Sequence, residues 1–271
     1  MKDYTGKNAD ALNDKKLYLF DMDGTVYLGE TLFDGVPELL RGITEKGGRY
    51  VFITNNSSRS VKDYVAKMRR LGIKEIDSEH FLTSGQVAFA LLKEKFGNSL
   101  IYVQATKSLL DEYKKLGLNV TGEYTENASA VLVGYDPEIT GEKIYNTCRI
   151  LAQFNVPYYA TNPDWVCPVE FGYVPDCGSM CFGIEKATGR RPVFIGKPEP
   201  AIIFSAMNKF GFTPEETVAI GDRLYTDIAS GNNAGVDTVC VLSGEVTFEE
   251  VKNATGNEIP TYVFRSVKDL I

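Results

Sequence analysis

The stretch Leu17-Tyr18-Leu19-Phe20-Asp21-Met22-Asp23-Gly24-Thr25 is the part of the chain from which its fold class can be inferred. It begins with a short apolar run, which is typical of a buried strand in a parallel sheet. Two aspartates follow the strand, and a glycine relieves the sharp turn behind them. Ligands of open parallel sheets bind outside the carboxyl ends of the strands, so this stretch predicts a site at that edge.

Similar apolar runs recur along the chain and are separated by helical patterns. The clearest runs are residues 50–53, 217–220 and 238–242. Between residues 61 and 71 the apolar side chains recur with the period of a helix, which Gly72 ends. Residues 200–210 and 225–234 show a similar pattern and are also predicted to be helical. Alternating strands and helices predict an α/β fold with a doubly wound parallel sheet, a Rossmann-like core.

The middle of the chain carries strand and helix patterns of its own. Strands are predicted at residues 100–103, 130–133 and 157–160, and helices at 108–116 and 141–154. This arrangement predicts a smaller α/β domain, residues 84–184, inserted into a catalytic domain made of residues 1–83 and 185–271.

The composition limits the classes of protein to be considered. The chain has 271 residues, 44% of them hydrophobic and 24% charged, which is ordinary for a globular protein. A formal net charge of -7 argues against nucleic-acid binding, which needs a basic surface. No apolar run is long enough to cross a bilayer, and residues 1–13 do not resemble a secretion signal. We therefore expect a cytoplasmic protein with neither a nucleic-acid nor a membrane partner.

The histidine and cysteine content narrows the chemistry. The chain has one histidine, His80, which excludes a histidine-rich metal site. It has five cysteines, an odd number, and Cys177 and Cys181 lie one helical turn apart in sequence. Reduced, packed thiols are favoured over a disulfide framework or a zinc site. The chemistry is therefore expected to use carboxylates, lysine, hydroxyl groups and a metal ion.

Polar side chains follow two further predicted strands, and a lysine precedes a predicted helix. Thr54-Asn55-Asn56 comes after residues 50–53, and Gly221-Asp222-Arg223-Leu224-Tyr225-Thr226-Asp227 comes after residues 217–220. Lys197 lies in Gly196-Lys197-Pro198, where a helix is predicted to begin. Hydroxyl groups, amides and a lysine suit phosphate oxygens, so the sequence predicts a phosphate site with several carboxylates.

In this order the motifs D-x-D-G-T, T-N-N, G-K-P and G-D-R-x-x-T-D resemble those of the haloacid dehalogenase superfamily of phosphohydrolases. The long interval between Thr54 and Lys197 is similar to that of subfamily IIA, which carries a large inserted cap. That branch includes NagD, p-nitrophenyl phosphatases and phosphoglycolate phosphatases. The segment Ala160-Thr161-Asn162-Pro163-Asp164 also resembles this branch.

The resemblance implies a role for each matching residue. Asp21 would attack phosphorus and form an aspartyl-phosphate, and Asp23 would act first as general acid and then as general base. Mg²⁺ would be held by the Asp21 and Asp222 carboxylates and the Asp23 backbone carbonyl, with Asp227 as a direct or an outer partner. The phosphate and substrate contacts that the resemblance implies are Thr54, Asn55, Lys197, Gly24, Asn56 and Asp164.

The function that these roles imply is a Mg²⁺-dependent phosphomonoesterase. Its partner would be a small phosphate ester, such as a nucleoside monophosphate, a sugar phosphate or p-nitrophenyl phosphate. The alternatives are a receiver-like signalling domain, a phosphomutase or a dehalogenase; Asp23 argues against a receiver, which lacks this acid/base. Three points stay open: a homodimer through the cap, Asp227 as a helix-terminal charge only, and Trp165 as either a core or a substrate-facing residue.

Overall fold

A computed structural model describes residues 1–169 and 171–271 of the chain. Its strands, numbered along the chain, are β1 Leu17–Phe20, β2 Tyr27–Leu28, β3 Thr31–Leu32, β4 Arg49–Thr54, β5 Phe81–Thr83, β6 Ile101–Gln104, β7 Val120–Thr121, β8 Ala130–Val133, β9 Tyr158–Ala160, β10 Val166–Val169, β11 Gly172–Pro175, β12 Val193–Phe194, β13 Thr217–Gly221, β14 Asp237–Val241 and β15 Tyr262–Phe264. Its α-helices are α1 Val36–Glu45, α2 Val61–Arg70, α3 Ser84–Phe96, α4 Lys107–Lys115, α5 Gly141–Gln153, α6 Cys177–Thr188, α7 Ala201–Phe210, α8 Ala229–Asn233 and α9 Phe248–Asn253.

The chain divides into two compact units. The first contains residues 1–54, 61–82 and 197–271, and the second contains residues 55–60 and 83–196. These limits differ from the predicted domains at residues 55–60, 83 and 185–196. Residues 185–196 belong to the second unit, because β12 pairs with β9 there. The short segment 55–60 also belongs to it, although it directly follows β4.

A six-stranded sheet forms the centre of the first unit, in the order β15-β14-β13-β1-β4-β5. Strand β1 lies between β13 and β4 and runs parallel to both. Phe20 pairs with Ile220 on one side and Phe52 on the other, and all three side chains are buried. The predicted doubly wound α/β fold is confirmed, and the central position of β1 places the residues after it among neighbouring strand ends.

The second unit has a parallel sheet of its own. Its strands follow the order β12-β9-β8-β6-β7, and every neighbouring pair is parallel. The strands β6 and β8 are buried along their whole length, as expected for a sheet covered by helices on both faces. An antiparallel hairpin, β10–β11, precedes α6.

Side-chain caps fix where the helices of the second unit begin. Thr83 and Gln86 form a capping box at the start of α3, and Thr106 and Thr140 cap α4 and α5. Asp176 caps α6 by accepting a hydrogen bond from the Cys177 N–H. Each cap satisfies backbone donors that the first turn of a helix leaves without partners.

Two features differ from the sequence interpretation. The helix expected around residues 225–234 begins instead with one turn of π-helix, Leu224–Ile228, and continues as α8. Trp165, for which a buried position was considered, is 55% exposed and packs edge-on against Phe182.

The five cysteines are free thiols, and the Sγ atoms of Cys177 and Cys181 lie 3.9 Å apart. Within the described residues, every helix is too short or too polar to span a bilayer.

Candidate active site

Three carboxylates meet at the carboxyl end of the large sheet. Asp21 follows β1, Asp222 follows β13, and Asp227 lies in the π-helical turn. One oxygen from each lies within 4.8 Å of the others, which makes this the group among the described residues that could share one metal ion. Asp222 and Asp227 are buried. The structure thus brings together three of the acidic residues that the sequence singled out.

Lys197 lies between two of these carboxylates. Its Nζ donates to Asp21 Oδ1 and to Asp227 Oδ1, each at 2.6 Å. Only 2% of the residue is exposed, so the ammonium group is buried rather than solvated. A buried ammonium needs such partners, because leaving water costs several kcal/mol per ion.

The crowding of charge shifts the pKa values of the cluster. Burial raises the pKa of Asp21 well above its ordinary value; Asp227 adds to the rise and Lys197 opposes it. Burial, together with Asp227, raises the pKa of Asp222 to about 6. Burial by itself lowers the pKa of Lys197, but Asp21 and Asp227 outweigh it and the pKa rises. The carboxylates therefore repel one another, and Lys197 offsets only part of that repulsion.

Four neighbours position Asp222, and of these only Gly24 was given a role from the sequence. Thr25 Oγ1 donates to Asp222 Oδ1 at 3.1 Å, and the Glu245 N–H donates to Asp222 Oδ2 at 2.8 Å. A Cβ atom on Gly24 or Gly244 would lie 2.4 Å or 2.0 Å from Asp222 Oδ2. The sequence signal for Glu245 was its place in the polar segment that follows the apolar strand β14, four residues beyond the end of that strand.

Asp23 lies two residues beyond Asp21 and is half-buried. Its Oδ2 accepts a hydrogen bond of 3.3 Å from the Tyr27 hydroxyl. Its carboxylate is not part of the three-carboxylate group, so this side chain is available for a role other than metal binding.

The residues after β4 divide between the two units. Thr54, the last residue of β4, is buried in the first unit, where Lys197 Nζ lies 3.5 Å from the Ile53 carbonyl oxygen. Asn55 is buried in the second unit, and its Nδ2 donates to Asp164 Oδ2 at 2.8 Å. The Asn56 side chain accepts hydrogen bonds from the N–H and the hydroxyl of Ser58.

Arg223 pairs with an acidic residue other than its neighbour Asp222. Its Nε lies 2.8 Å from Glu245 Oε2. Glu245 therefore contacts Asp222 through its backbone and Arg223 through its side chain. This pairing stabilises the loop after β14 against the acidic cluster.

Comparisons with known proteins show which family the chain belongs to. Residues 18–119 match the family model described as haloacid dehalogenase-like hydrolase, and residues 194–270 match a second model described as HAD-hydrolase-like. Acid sugar phosphatase from Staphylococcus aureus is 32% identical over 256 residues, which cover 94% of this chain and 96% of that protein.

Solved structures give the same result. A 4-nitrophenylphosphatase from Thermotoga maritima is 37% identical, with a TM-score of 0.90, over 96% of this chain and 97% of that one. A glycerol phosphate phosphatase from Mycobacterium tuberculosis, solved with magnesium, is 28% identical, with a TM-score of 0.89, over 96% of this chain and 77% of that one. The chain therefore belongs to the haloacid dehalogenase-like hydrolases, in their NagD-like branch, and is a phosphatase.

Proposed function

We propose that this phosphatase hydrolyses small phosphate monoesters with Asp21 as the nucleophile and Mg²⁺ as the cofactor. The observation that carries the proposal is the buried group formed by Asp21, Asp222, Asp227 and Lys197 at the end of β1. Such a group concentrates negative charge that one hard cation would offset, and an anionic phosphate could then bind beside that cation.

The donor set fits Mg²⁺. Asp21, Asp222 and Asp227 offer carboxylate oxygens within 4.8 Å of one another, and oxygen is the ligand that Mg²⁺ prefers. The Asp23 backbone carbonyl is the further ligand that the motif resemblance suggests. When bound, Mg²⁺ would neutralise charge and polarise a phosphoryl oxygen of the substrate.

The protein's own groups account for the proposed reaction. An Asp21 oxygen forms a bond to phosphorus while the bond from phosphorus to the ester oxygen breaks. Asp23 gives its proton to that ester oxygen, which leaves as the alcohol. Asp23 then removes a proton from the water that attacks the aspartyl-phosphate, and phosphate and free Asp21 result.

Two residues of the first unit would bind the transferring phosphoryl group. Lys197 keeps its positive charge under all ordinary conditions, because Asp21 and Asp227 raise its pKa. Thr54 lies at the end of β4, the strand beside β1. Asn55, Asn56 and Gly24 stay sequence-based proposals as phosphate contacts.

The substrates that we propose are small phosphometabolites, including sugar phosphates, nucleoside monophosphates and p-nitrophenyl phosphate. The names of the relatives support sugar phosphates and p-nitrophenyl phosphate as substrates, and they add glycerol phosphate. We propose that the second unit is the cap that selects the leaving group. A homodimer through that unit and a cytoplasmic location stay predictions.

The test is release of phosphate from p-nitrophenyl phosphate and a panel of phosphometabolites, with Mg²⁺ and with excess chelator. We expect Asp21→Asn to lower kcat by roughly 10⁴-fold, because an amide cannot act as the nucleophile. Asp23→Asn should still form the aspartyl-phosphate from an activated ester but hydrolyse it slowly. Asp34→Asn, at a side chain 90% exposed, is the matched control.

Turnover by Asp21→Asn close to that of the unsubstituted chain would disprove the mechanism, as would full activity in chelator. An aspartyl-phosphate that accumulates without turnover would favour the receiver alternative. A beryllofluoride adduct on Asp21 would support its assignment.

A further inference from the structure

The carboxyl edge of the second sheet is covered by the chain itself. In a parallel sheet this edge is where ligands bind. Here the segment 55–60 lies against it: a Cβ atom on Gly134, just after β8, would lie 3.3 Å from Ser57 Oγ. Ser57 Oγ lies 3.2 Å from Thr161 Oγ1, just after β9. The segment that follows β4 therefore occupies the position of a ligand in this sheet.

Within that segment, Asn55 is held from several sides. Ser84 Oγ donates to its backbone carbonyl at 2.6 Å. A Cβ atom on Gly196 would lie 2.5 Å from Asn55 Oδ1, so the side chain packs directly on that glycine. Its Nδ2 donates to Asp164 Oδ2 at 2.8 Å.

Asp164 is itself fixed by a buried polar network. Asn162 Nδ2 donates to Asp164 Oδ2 and to Asp176 Oδ1, each at 2.9 Å, and Thr161 Oγ1 donates to Asn162 Oδ1 at 2.8 Å. Asn162, Asp164 and Asp176 are 0%, 3% and 5% exposed. Hydrogen bonds to a buried carboxylate are stronger and more directional than those between neutral groups.

The backbone of Asp164 is fixed as well. The Gly178 N–H in the first turn of α6 donates to the Asp164 carbonyl at 2.8 Å. A Cβ atom on Gly178 would lie 2.1 Å from the Pro163 carbonyl oxygen, so only glycine allows this approach. Helix α6 therefore sets both the backbone and, through its cap Asp176, the side-chain surroundings of Asp164.

We infer that Asp164 is a positioning residue: it orients the Asn55 side chain, with Asn162 and Asp176 holding it in place. This assignment replaces the substrate contact that the sequence suggested for Asp164, because its carboxylate is buried and directed at Asn55. The inference rests on the proposed function, in which Asn55, joined to Thr54, contacts the phosphoryl group. Asp164 acts on the reaction only through Asn55.

A double-mutant cycle tests this. Steady-state kcat and KM for p-nitrophenyl phosphate, and competitive inhibition by inorganic phosphate, are measured for Asn55→Ala, Asp164→Ala and the double variant. We expect each single change to lower kcat/KM by about 10- to 100-fold, with weaker phosphate inhibition. The double variant should be no worse than Asn55→Ala. Asp164→Asn, whose carbonyl oxygen can still accept both N–H groups, should stay within about threefold of the unsubstituted chain.

Asp136→Ala is the matched control. Asp136 is a fully buried carboxylate of the same unit that pairs with Lys143 Nζ at 2.7 Å. Its loss should lower thermal stability as much as Asp164→Ala does while kcat/KM stays within about threefold. If Asp164→Ala does not fold, Asn162→Ala takes its place in the same cycle.

Losses that multiply in the double variant, or full activity of Asn55→Ala, would overturn the inference. The proposed function fails separately, when Asp21→Asn retains activity in the same assay. An inactive Asp21→Asn together with independent effects of Asn55 and Asp164 would reject only the positioning role.

Discussion

At Lys197 a buried ammonium group bridges the carboxylates of Asp21 and Asp227. A lysine followed by proline at a helix start gives little information by itself, since most such lysines are solvated. Its proposed role rests on its burial, which no local sequence pattern records. The same holds for Thr25, whose hydroxyl donates to Asp222, far away in the chain.

The variant Lys197→Met tests whether Lys197 balances the negative charge of Asp21 and Asp227. The change leaves two carboxylates facing each other, so we expect a loss of about 3–5 kcal/mol in the free energy of unfolding. Activity should fall at least about 100-fold, because Lys197 is the group that opposes the rise of the Asp21 pKa. Lys209→Met, at an exposed ion pair with Glu79, should change stability by less than about 1 kcal/mol. Thermal denaturation measures the loss of stability, and phosphate release measures the loss of activity. Equal losses in the two variants would contradict the charge-balancing role of Lys197.

At the scale of elements, two turns place the carboxylates. After β1, Gly24 adopts a φ of +89° and lies directly against Asp222. After β13, the π-helical turn returns Asp227 over the strand end, where a Cβ atom on Gly221 would lie 2.3 Å from the Asp227 Cβ. An ordinary α-helical start would place Asp227 differently, because a π-turn inserts one residue per turn.

Gly24→Ala and Gly29→Ala separate backbone strain from crowding of the site. Both glycines have positive φ, but a Cβ atom on Gly29 would meet nothing within 4 Å. We expect each variant to lose roughly 1 kcal/mol of stability from strain. Only Gly24→Ala should also lose activity, by at least about tenfold, because its Cβ displaces Asp222. The comparison uses thermal melts and kcat/KM; an equal activity for the two variants would show that the contact with Asp222 is unimportant.

For the whole molecule, the acidic cluster links stability to pH, and the proposed Mg²⁺ would bind at the same cluster. The folded-state pKa of Asp222 is about 6, above its ordinary value of 3.8. A carboxyl whose pKa is raised on folding favours the folded state at low pH, and this contribution is lost as the pH rises through about 6. Above that pH, a bound cation would replace the proton as the partner of the cluster.

We therefore expect Mg²⁺ to raise the Tm of chelator-treated protein more at pH 7.5 than at pH 5. A shift of about 3–6 °C at pH 7.5 and less than half of that at pH 5 would follow from competition between proton and cation. Differential scanning fluorimetry measures the shift, and Asp222→Asn is the control that should lose it. Equal shifts at the two pH values would rule out Asp222 as the group that binds both.

The sequence by itself determined the fold class and the catalytic family, because strand period, turn glycines and strand-end carboxylates are local signals. The apolar run 17–20 predicted the strand β1, and the D-x-D-G-T motif that follows it predicted the residue Asp21, which lies in the acidic cluster. Only the tertiary structure decided which residues meet. Lys197 pairs with two carboxylates, Asp222 is contacted by the loops after β1 and β14, and Asn55 donates a hydrogen bond to Asp164. Each of these contacts joins residues distant in sequence. Such contacts depend on strand order and on burial, which are properties of the whole packed chain rather than of any segment.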